Sequence, residues 1–371
     1  MKRVLIVNYE FPPVGGGGGV AAHALAKGFI QNGYEVDYLT SWYEGLKKFE
    51  VVDGINVHRV RVIGRTGLQT ATMISLLTYP LTGFLPGIRL CRSRKYAFIN
   101  THFVLPSGPL GYILAKLFSI PNILSIHGGD IYDPSKKNSP HKHWYFRAAV
   151  RFLLNQADRV VAQSSNTKEN AERFYIPKNP IEIIPLAYER AEFVRATREE
   201  LGLIAGKKYI IGVGRLVKRK DFPTFLHALA KLDADIEGII VGDGPERAAL
   251  ENLSRVLGIT DRLHMVGNVD NNQKYQYLSN ADVFVLSSLH EGFGIVLQEA
   301  MQVGLPIVST NVGGQVDLVR QGENGYLVPV GDAELLAEAV RKALTERLPG
   351  LGNQIEGFIP AAIAARYLEL V

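Results

Sequence analysis

Short apolar runs alternate with longer stretches of helical period from one end of the chain to the other, a pattern that implies α/β folding around parallel sheets. In the first half the runs fall at 3–10, 35–41, 55–60, 98–104, 122–128, 159–164 and 181–187. In the second half they fall at 208–216, 236–244, 262–269, 281–288, 306–310 and 325–330. Each run predicts a strand, and the rhythm restarts once. Between the two series, residues 188–208 (YERAEFVRATREELGLIAGKK) are polar and charged without a strand pattern, which marks an inter-domain connection. Two doubly wound domains are therefore expected. A last amphipathic helix, PAAIAARYLELV from Pro360 to Val371, needs a surface to cover, and either domain could supply it.

One stretch breaks the rhythm. Residues 66–88, TGLQTATMISLLTYPLTGFLPGI, carry no charge and are flanked by Arg65 and by Arg89, Arg92, Arg94 and Lys95. The length just allows a bilayer span, against which stand Pro80, Pro86 and three glycines. The other readings are a buried helix pair, or an interfacial element whose apolar face dips into lipid while the cations meet anionic head groups.

Composition narrows the class. With 371 residues, 47% hydrophobic and 21% charged, the chain suits a soluble globular protein of two or three domains. The single cysteine, Cys91, excludes an intramolecular disulfide framework, and no Cys/His cluster has zinc spacing, so a reducing, cytoplasmic setting is expected. The N-terminal apolar run is too short for a signal peptide and reads as a first strand. Charge is unevenly spread: residues 1–190 hold 23 Lys and Arg against 13 Asp and Glu, and residues 191–371 hold 18 against 23. A basic first half points to an anionic membrane surface or to nucleic acid. Nucleic acid is disfavoured, because the cations are not interleaved with aromatics in any recognition signature.

Three clusters carry candidate chemistry. After the first run, PPVGGGGGVAAHALAKGF places five glycines, Gly15 to Gly19, before a helix whose free N–H groups suit an anion. The spacing Gly16-x-Gly18-x-x-Ala21 fits a dinucleotide fingerprint, but Thr40-Ser41-Trp42 stands where that fingerprint wants an acid for the ribose. In GVGRLVKRKDF, Arg215 follows a strand and Lys220 lies five residues on, two cations suited to a diphosphate; Lys218 and Arg219 read as surface charge. The run ADVFVLSS leads into Leu289-His290-Glu291-Gly292-Phe293-Gly294 and a helix carrying Glu299. Two carboxylates for hydroxyls, beside the amides of Phe293, Gly294 and Ile295 for phosphate, describe a nucleotide sugar. The one Asp-x-Asp, Asp233-Ala234-Asp235, sits in a linker and reads as surface.

Glu291-Gly292-Phe293-Gly294 with Glu299, Gly214-Arg215 with Lys220, Val241-Gly242-Asp243-Gly244-Pro245, the early glycine turn and Ser125-Ile126-His127-Gly128-Gly129-Asp130 together resemble the family 4 retaining glycosyltransferases of the GT-B fold. The match runs through nearly the whole chain in order. The resemblance implies two Rossmann-like domains facing each other across a cleft. Residues 1–188 plus 354–371 would form the acceptor-side domain with a crossing C-terminal helix, and 189–353 the nucleotide-sugar domain. It further implies that Arg215 and Lys220 bind the donor diphosphate and stabilise its departure. Glu299 would hold the ribose, Glu291 the transferred sugar, and the Gly292 to Ile295 backbone sugar and phosphate. His127 would reach the sugar near the reacting carbon; a packed core histidine is the plainer alternative. The backbone of Gly17, Gly18 and Gly19 would close over the diphosphate, and that of Gly267, Asn268 and Val269 would lie against the base. Domain closure would assemble the site. The chain departs from the family at Pro185-Leu186-Ala187-Tyr188-Glu189, where Pro-Asn-Gly-Val-Asp is common.

The expected activity is a retaining, metal-independent hexosyl transfer from a nucleoside-diphosphate sugar to a hydroxyl acceptor, with no cofactor. A surface polysaccharide or lipid-linked glycan, made at the cytoplasmic membrane face, is the expected setting. A nucleotide-sugar epimerase on the same fold and a non-catalytic nucleotide-sugar-binding protein are the alternatives. Residues 61–96 and 132–143, on the acceptor side, offer no signature that names a substrate.

Overall fold

The computed structural model describes residues 2–352 and 354–371. Two compact units emerge, Met1–Glu189 with Gly357–Val371, and Arg190–Glu356. These division points fall one and three residues beyond the expected 188/189 and 353/354; Asn353 lies outside the described residues.

The first unit is built on an eight-stranded sheet of order β3-β4-β2-β1-β5-β6-β7-β8. Its strands are β1 Arg3–Val7, β2 Glu35–Trp42, β3 Phe49–Val52, β4 Ile55–Arg61, β5 Phe98–His102, β6 Asn122–Ile126, β7 Arg159–Ala162 and β8 Ile181–Ile183. Every pairing is parallel except β3 with β4. Side chains of β1 alternate between two cores: Val4 and Ile6 pack with helix α1 (Gly17–Gln31) and the last helix, α11 (Pro360–Leu368), and Leu5 and Val7 with α2 (Met73–Ser93) and α3 (Gly108–Phe118). Both faces being covered is why these strands read as continuous apolar runs. Helices α4 (Trp144–Gln156) and α5 (Ser165–Tyr175) complete the unit.

The sequence pattern missed β3, a half-exposed edge strand. Its signal is the Asp53-Gly54 turn, with φ of 49° and 80°, which closes a hairpin onto β4. The predicted runs also overshoot the strand ends, because the loops after β6, β9 and β10 continue in glycine and apolar residues.

The uncharged stretch is one helix, not a pair. A capping box at Thr72 starts α2, and the helix continues through Pro80 and Pro86 to Ser93. Proline deletes a helix hydrogen bond without obliging the chain to stop. Tyr79, just before the first proline, anchors the helix by donating its hydroxyl to Leu39 O at 2.8 Å. A Cβ on Gly83 or Gly87 would stand 2.6 or 2.7 Å from Leu110 or Leu114, so the glycines let α3 approach closely. The opposite face exposes Ile74, Leu77, Leu81 and Leu85. No helix among the described residues is long and apolar enough to cross a membrane.

Helix α11 lies on α1. Gly28 is the crossing point: a Cβ there would stand 2.1 Å from Pro360 O. Asn32 donates to Ala361 O, and Tyr367 enters the core beside Ser125 at 3.0 Å.

The second unit has a six-stranded parallel sheet of order β11-β10-β9-β12-β13-β14. The strands are β9 Lys208–Val213, β10 Ile236–Val241, β11 Leu263–Gly267, β12 Val283–Leu286, β13 Ile307–Thr310 and β14 Gly325–Val328. Counted within the unit this is 3-2-1-4-5-6, the doubly wound nucleotide-binding order, whose direction reverses between β9 and β12. Helices α6 (Phe222–Ala230), α7 (Arg247–Val256), α8 (Asn271–Asn280), α9 (Ile295–Gln302) and α10 (Ala333–Thr345) connect the strands.

Candidate active site

In an open α/β sheet, ligands bind outside the carboxyl ends of the strands where the winding reverses. In the second unit that place lies between the loops after β9 and β12, the loops that carry Arg215 to Lys220 and Glu291. The first is shaped by glycine. Cβ atoms on Gly242 and Gly244 would stand 2.1 Å from Gly214 O and 2.4 Å from Leu216 O, so the loop after β10 lies flat on the loop after β9. The bonds Gly214 N–H to Val241 O (2.9 Å) and Leu216 N–H to Asp243 O (3.0 Å) fix it there.

Glu291 is the centre of this site. Its side chain is 9% exposed and meets Lys220 Nζ at 2.6 Å and Arg219 Nη1 at 3.2 Å, and Ser288 Oγ donates to it at 3.0 Å. Burial pushes the Glu291 carboxyl up, but Lys220 and Arg219 outweigh it and bring the group down to about 2. It is therefore an obligate acceptor at neutral pH. Arg219, read from sequence as surface charge, is a member of the site and also donates to His290 O at 2.9 Å. Its partner lies seventy-odd positions away, so no local pattern could have shown it. Arg215 is exposed, with no ion pair among the described residues.

The turn after Glu291 carries Gly294 at φ 95° into the first residue of α9, Ile295, while Phe293 is buried. A short helical turn at Gly313–Asp317 packs on it; Gly314 donates to Glu291 O at 2.9 Å, and a Cβ there would stand 2.3 Å from Gly292 O. Glu299 lies in the second turn of α9. Its Oε1 takes Lys274 at 2.6 Å, and its Oε2 is buried without a hydrogen-bond partner. Lys274, on α8, was not foreseen. At the end of β11, Gly267 has φ 83° and accepts from Gly242 N–H at 2.8 Å; Asn268 is exposed and Val269 half-buried. The Arg247 guanidinium reaches over Gly267 and donates to Met265 O at 3.1 Å, a second cation the motifs did not reveal. Asp233 and Asp235 are exposed just before β10, at the opposite strand ends.

In the first unit the glycine turn already holds an anion. Glu10 Oε2 accepts from Gly16 N–H at 3.0 Å and Gly19 N–H at 3.2 Å. Burial pushes the Glu10 carboxyl up, against the pull of those two amides. Packing accounts for part of the run: Gly15 has φ 104°, and a Cβ on Gly18 would stand 2.4 Å from the Phe103 ring. Gly17 opens α1.

His127 follows β6 and is buried, stacked on Phe103 with centroids 4.2 Å apart. Its protonation is set by a chain of fixed groups. Asn100 Nδ2 donates to Ile123 O (3.2 Å) and Ser125 Oγ (3.1 Å), which turns its Oδ1 toward His102 Nε2 at 2.7 Å. His102 must donate there, so its Nδ1 accepts from His127 Nε2 at 2.9 Å. The chain leaves His127 Nδ1 as a buried lone pair with no direct hydrogen bond among the described residues, and the Gln163 side chain adjoins the ring. Burial pushes His127 down to about 4, and His102 well below its ordinary value. Both imidazoles are neutral at physiological pH. Asp130 accepts from Val104 N–H (2.7 Å) and His127 N–H (2.8 Å), while burial raises its carboxyl to about 6.

Two family models divide the chain between them: a glycosyl transferase 4-like domain over residues 16–187 and glycosyl transferases group 1 over residues 193–356. The chain belongs to the family 4-type glycosyltransferases with the GT-B fold. Sucrose-phosphate synthase from Thermosynechococcus elongatus superposes with a TM-score of 0.83 at 25% identity, covering 100% of this chain and 98% of its own. N-acetyl-alpha-D-glucosaminyl L-malate synthase of Bacillus anthracis is 27% identical over 91% of this transferase and 86% of its own length. A putative teichuronic acid biosynthesis glycosyltransferase of Bacillus subtilis is 30% identical over 67% and 62%.

Proposed function

We propose that this transferase takes a hexose from a nucleoside-diphosphate sugar and passes it, with retention and without a metal, to a hydroxyl acceptor. The observation that carries this reading is the Glu291 cluster at the winding reversal of the second unit, with Lys220 and Arg219 on the carboxylate and Arg215 unpaired beside them. Arg215 and Lys220 are assigned to the diphosphate, where they stabilise the charge that grows as the phosphate leaves. Glu291, fully ionised, is assigned to the sugar hydroxyls, and Glu299, through its unpartnered Oε2, to the ribose. The backbone at Gly267 to Val269 is assigned to the base, with Gly17 to Gly19 over the diphosphate once Glu10 yields. His127 is assigned to the sugar as a neutral acceptor through Nδ1.

The base is assigned to the departing phosphate, whose oxygen is freed on the face where the new bond forms. The bond from the anomeric carbon to the phosphate oxygen breaks, the acceptor oxygen bonds to that carbon on the same face, and the freed phosphate oxygen takes the acceptor proton. No residue is covalently modified, and cations of the chain carry the charge a metal would otherwise carry.

The relatives' names, an N-acetyl-alpha-D-glucosaminyl L-malate synthase and a putative teichuronic acid biosynthesis glycosyltransferase, pull the acceptor toward a small acid or a surface glycan. The basic first unit and the exposed apolar face of α2 favour surface or lipid-linked glycan synthesis at the cytoplasmic membrane face. The test is a thermal-shift screen with UDP, GDP, ADP and their sugar conjugates, followed by transfer assays in chelator. Stabilisation by one nucleotide family, lost in Lys220→Ala and Glu299→Ala, with full rate in chelator, is expected. Activity lost in chelator and restored by manganese would overturn the metal-free reading.

A further inference from the structure

A cavity of about 490 Å³ opens in the first unit at the carboxyl ends of β5 and β6. One wall is the amino-terminal half of α2, with Met73, Leu76, Leu77 and Pro80, and the facing wall includes Pro106 and Phe146. The polar side chains of the lining, Asp130, Lys136, Asn138 and Ser139, all belong to the segment after β6 and make that part of the lining polar. That part adjoins the His127 turn, since Asp130 accepts the His127 amide. The rest of the lining is apolar, which suits a hydrocarbon chain.

The outside of the same wall is also apolar. Ile74, Leu77, Leu81 and Leu85 follow one another at helical spacing, 59%, 60%, 74% and 70% exposed. The same face then continues into Arg89 and Arg92, with Lys95 just beyond, all exposed. Leu77 belongs to both the stripe and the cavity wall, so cavity and stripe meet at the helix edge. An apolar face that ends in cations complements an anionic bilayer. Lys136, its side chain 64% exposed with Asp133 as partner at 3.2 Å, is the cation of the polar part.

We propose that this cavity binds the hydrocarbon chain of a hydroxyl-bearing anionic lipid, which enters from a bilayer docked on the α2 stripe and becomes the acceptor. The proposal rests on the glycosyltransferase reading above. It gives that reading an acceptor class: an amphiphile whose anionic group meets Lys136 and whose hydroxyl lies toward His127.

Dodecyl phosphate serves as the cavity probe, and phosphatidylcholine vesicles with and without phosphatidylglycerol as the surface probe. The full chain is used throughout. Calorimetry is expected to show dodecyl phosphate binding, weakened at least about tenfold by Ala71→Phe at the cavity mouth and by Lys136→Gln. Dodecyl maltoside, which lacks the charge, should be weakened by Ala71→Phe but not by Lys136→Gln. Co-sedimentation should require phosphatidylglycerol and be lost in Leu81→Glu with Leu85→Glu, a variant that still binds dodecyl phosphate. All substituted side chains are on the surface, so circular dichroism checks that each variant is folded. Failure of the wild type to bind dodecyl phosphate, or equal binding by Ala71→Phe, overturns the proposal. Nucleotide stabilisation in the same samples separates the outcomes: nucleotide without amphiphile removes the lipid acceptor and leaves the donor reading, and amphiphile without nucleotide leaves a lipid-binding cavity and overturns the donor reading together with the acceptor role that rests on it.

Discussion

Replacing Lys220 by methionine tests the electrostatics of the site, because it keeps the length of the stem and removes the ammonium 2.6 Å from Glu291. In the wild type the Glu291 carboxyl sits at about 2 against an ordinary 4.5. A carboxyl whose folded value is depressed stabilises the fold above its unfolded value, and the stabilisation is lost as pH falls toward the folded value. The difference corresponds to about 3 kcal/mol at neutral pH. Lys220 is the larger of the two attractive charges, so its loss returns most of this, within the range of about 3 to 5 kcal/mol for breaking a buried pair. Wild type and Lys220→Met should therefore differ by about 3 kcal/mol at pH 7 and by only ~1 kcal/mol at pH 3, where the mutant's carboxyl is protonated in both states. Both tryptophans, Trp42 and Trp144, lie in the first unit, so fluorescence reports the wrong half of the chain. The measurement is urea unfolding read by hydrogen exchange in peptides from β9 and β12. Lys220 and Glu291 are in direct contact, so adding Glu291→Gln to Lys220→Met should cost less than the sum of the single changes. A gap of equal size at pH 7 and pH 3 would show that the loss is packing, and would refute the assigned charge balance.

Three further outcomes follow from named contacts. Glu299→Gln should weaken UDP or GDP binding by about 1.5 to 3 kcal/mol, whichever nucleotide binds, while leaving inorganic pyrophosphate unchanged in calorimetry; an equal loss for both would place Glu299 on the phosphates. Gly18→Ala puts a methyl 2.4 Å from the Phe103 ring and should destabilise the first unit by about 1 to 3 kcal/mol in thermal unfolding, with recovery in Gly18→Ala combined with Phe103→Leu. His102→Leu removes the acceptor that holds the His127 proton on Nε2; kcat should fall about tenfold with donor KM unchanged. The ¹⁵N shifts of His127 should move to a mixed tautomer in that variant, and an unmoved signature would sink the relay.

The strands were legible because two-sided burial writes them as apolar runs, and the Glu291 turn because its glycines and carboxylates are contiguous. The misses share a cause. Phe49–Val52 is an edge strand with one wet face, so it lacks the apolar density that marked the others, and only Asp53-Gly54 announced it. Proline in residues 66–88 suggested two helices, but the Tyr79 anchor and the close packing of Gly83 and Gly87 on α3 hold one helix across both prolines. Charge pairing was invisible for a different reason: Arg219 with Glu291 and Lys274 with Glu299 are neighbours only because the sheet brings distant loops together.

Those pairings change how the site should be understood. A glycine turn tells that backbone amides are available, not what fills them, and here Glu10 fills them. The same substitution of internal for external charge holds at Lys220 with Glu291 and at Lys274 with Glu299. Unpaired buried charges would disorder the loops or shift out of their ionised forms, and these partners hold the loops in place. On the reading proposed above they would also compete with the donor. A nucleotide sugar would have to offer phosphate where Lys220 meets a carboxylate, and hydroxyls where Glu291 meets cations. Both exchanges would succeed together only for a ligand with the two kinds of group side by side. Free phosphate would satisfy the cations and strand Glu291, and a free sugar would do the opposite. On that reading, selectivity for the intact donor would come from the pairing itself.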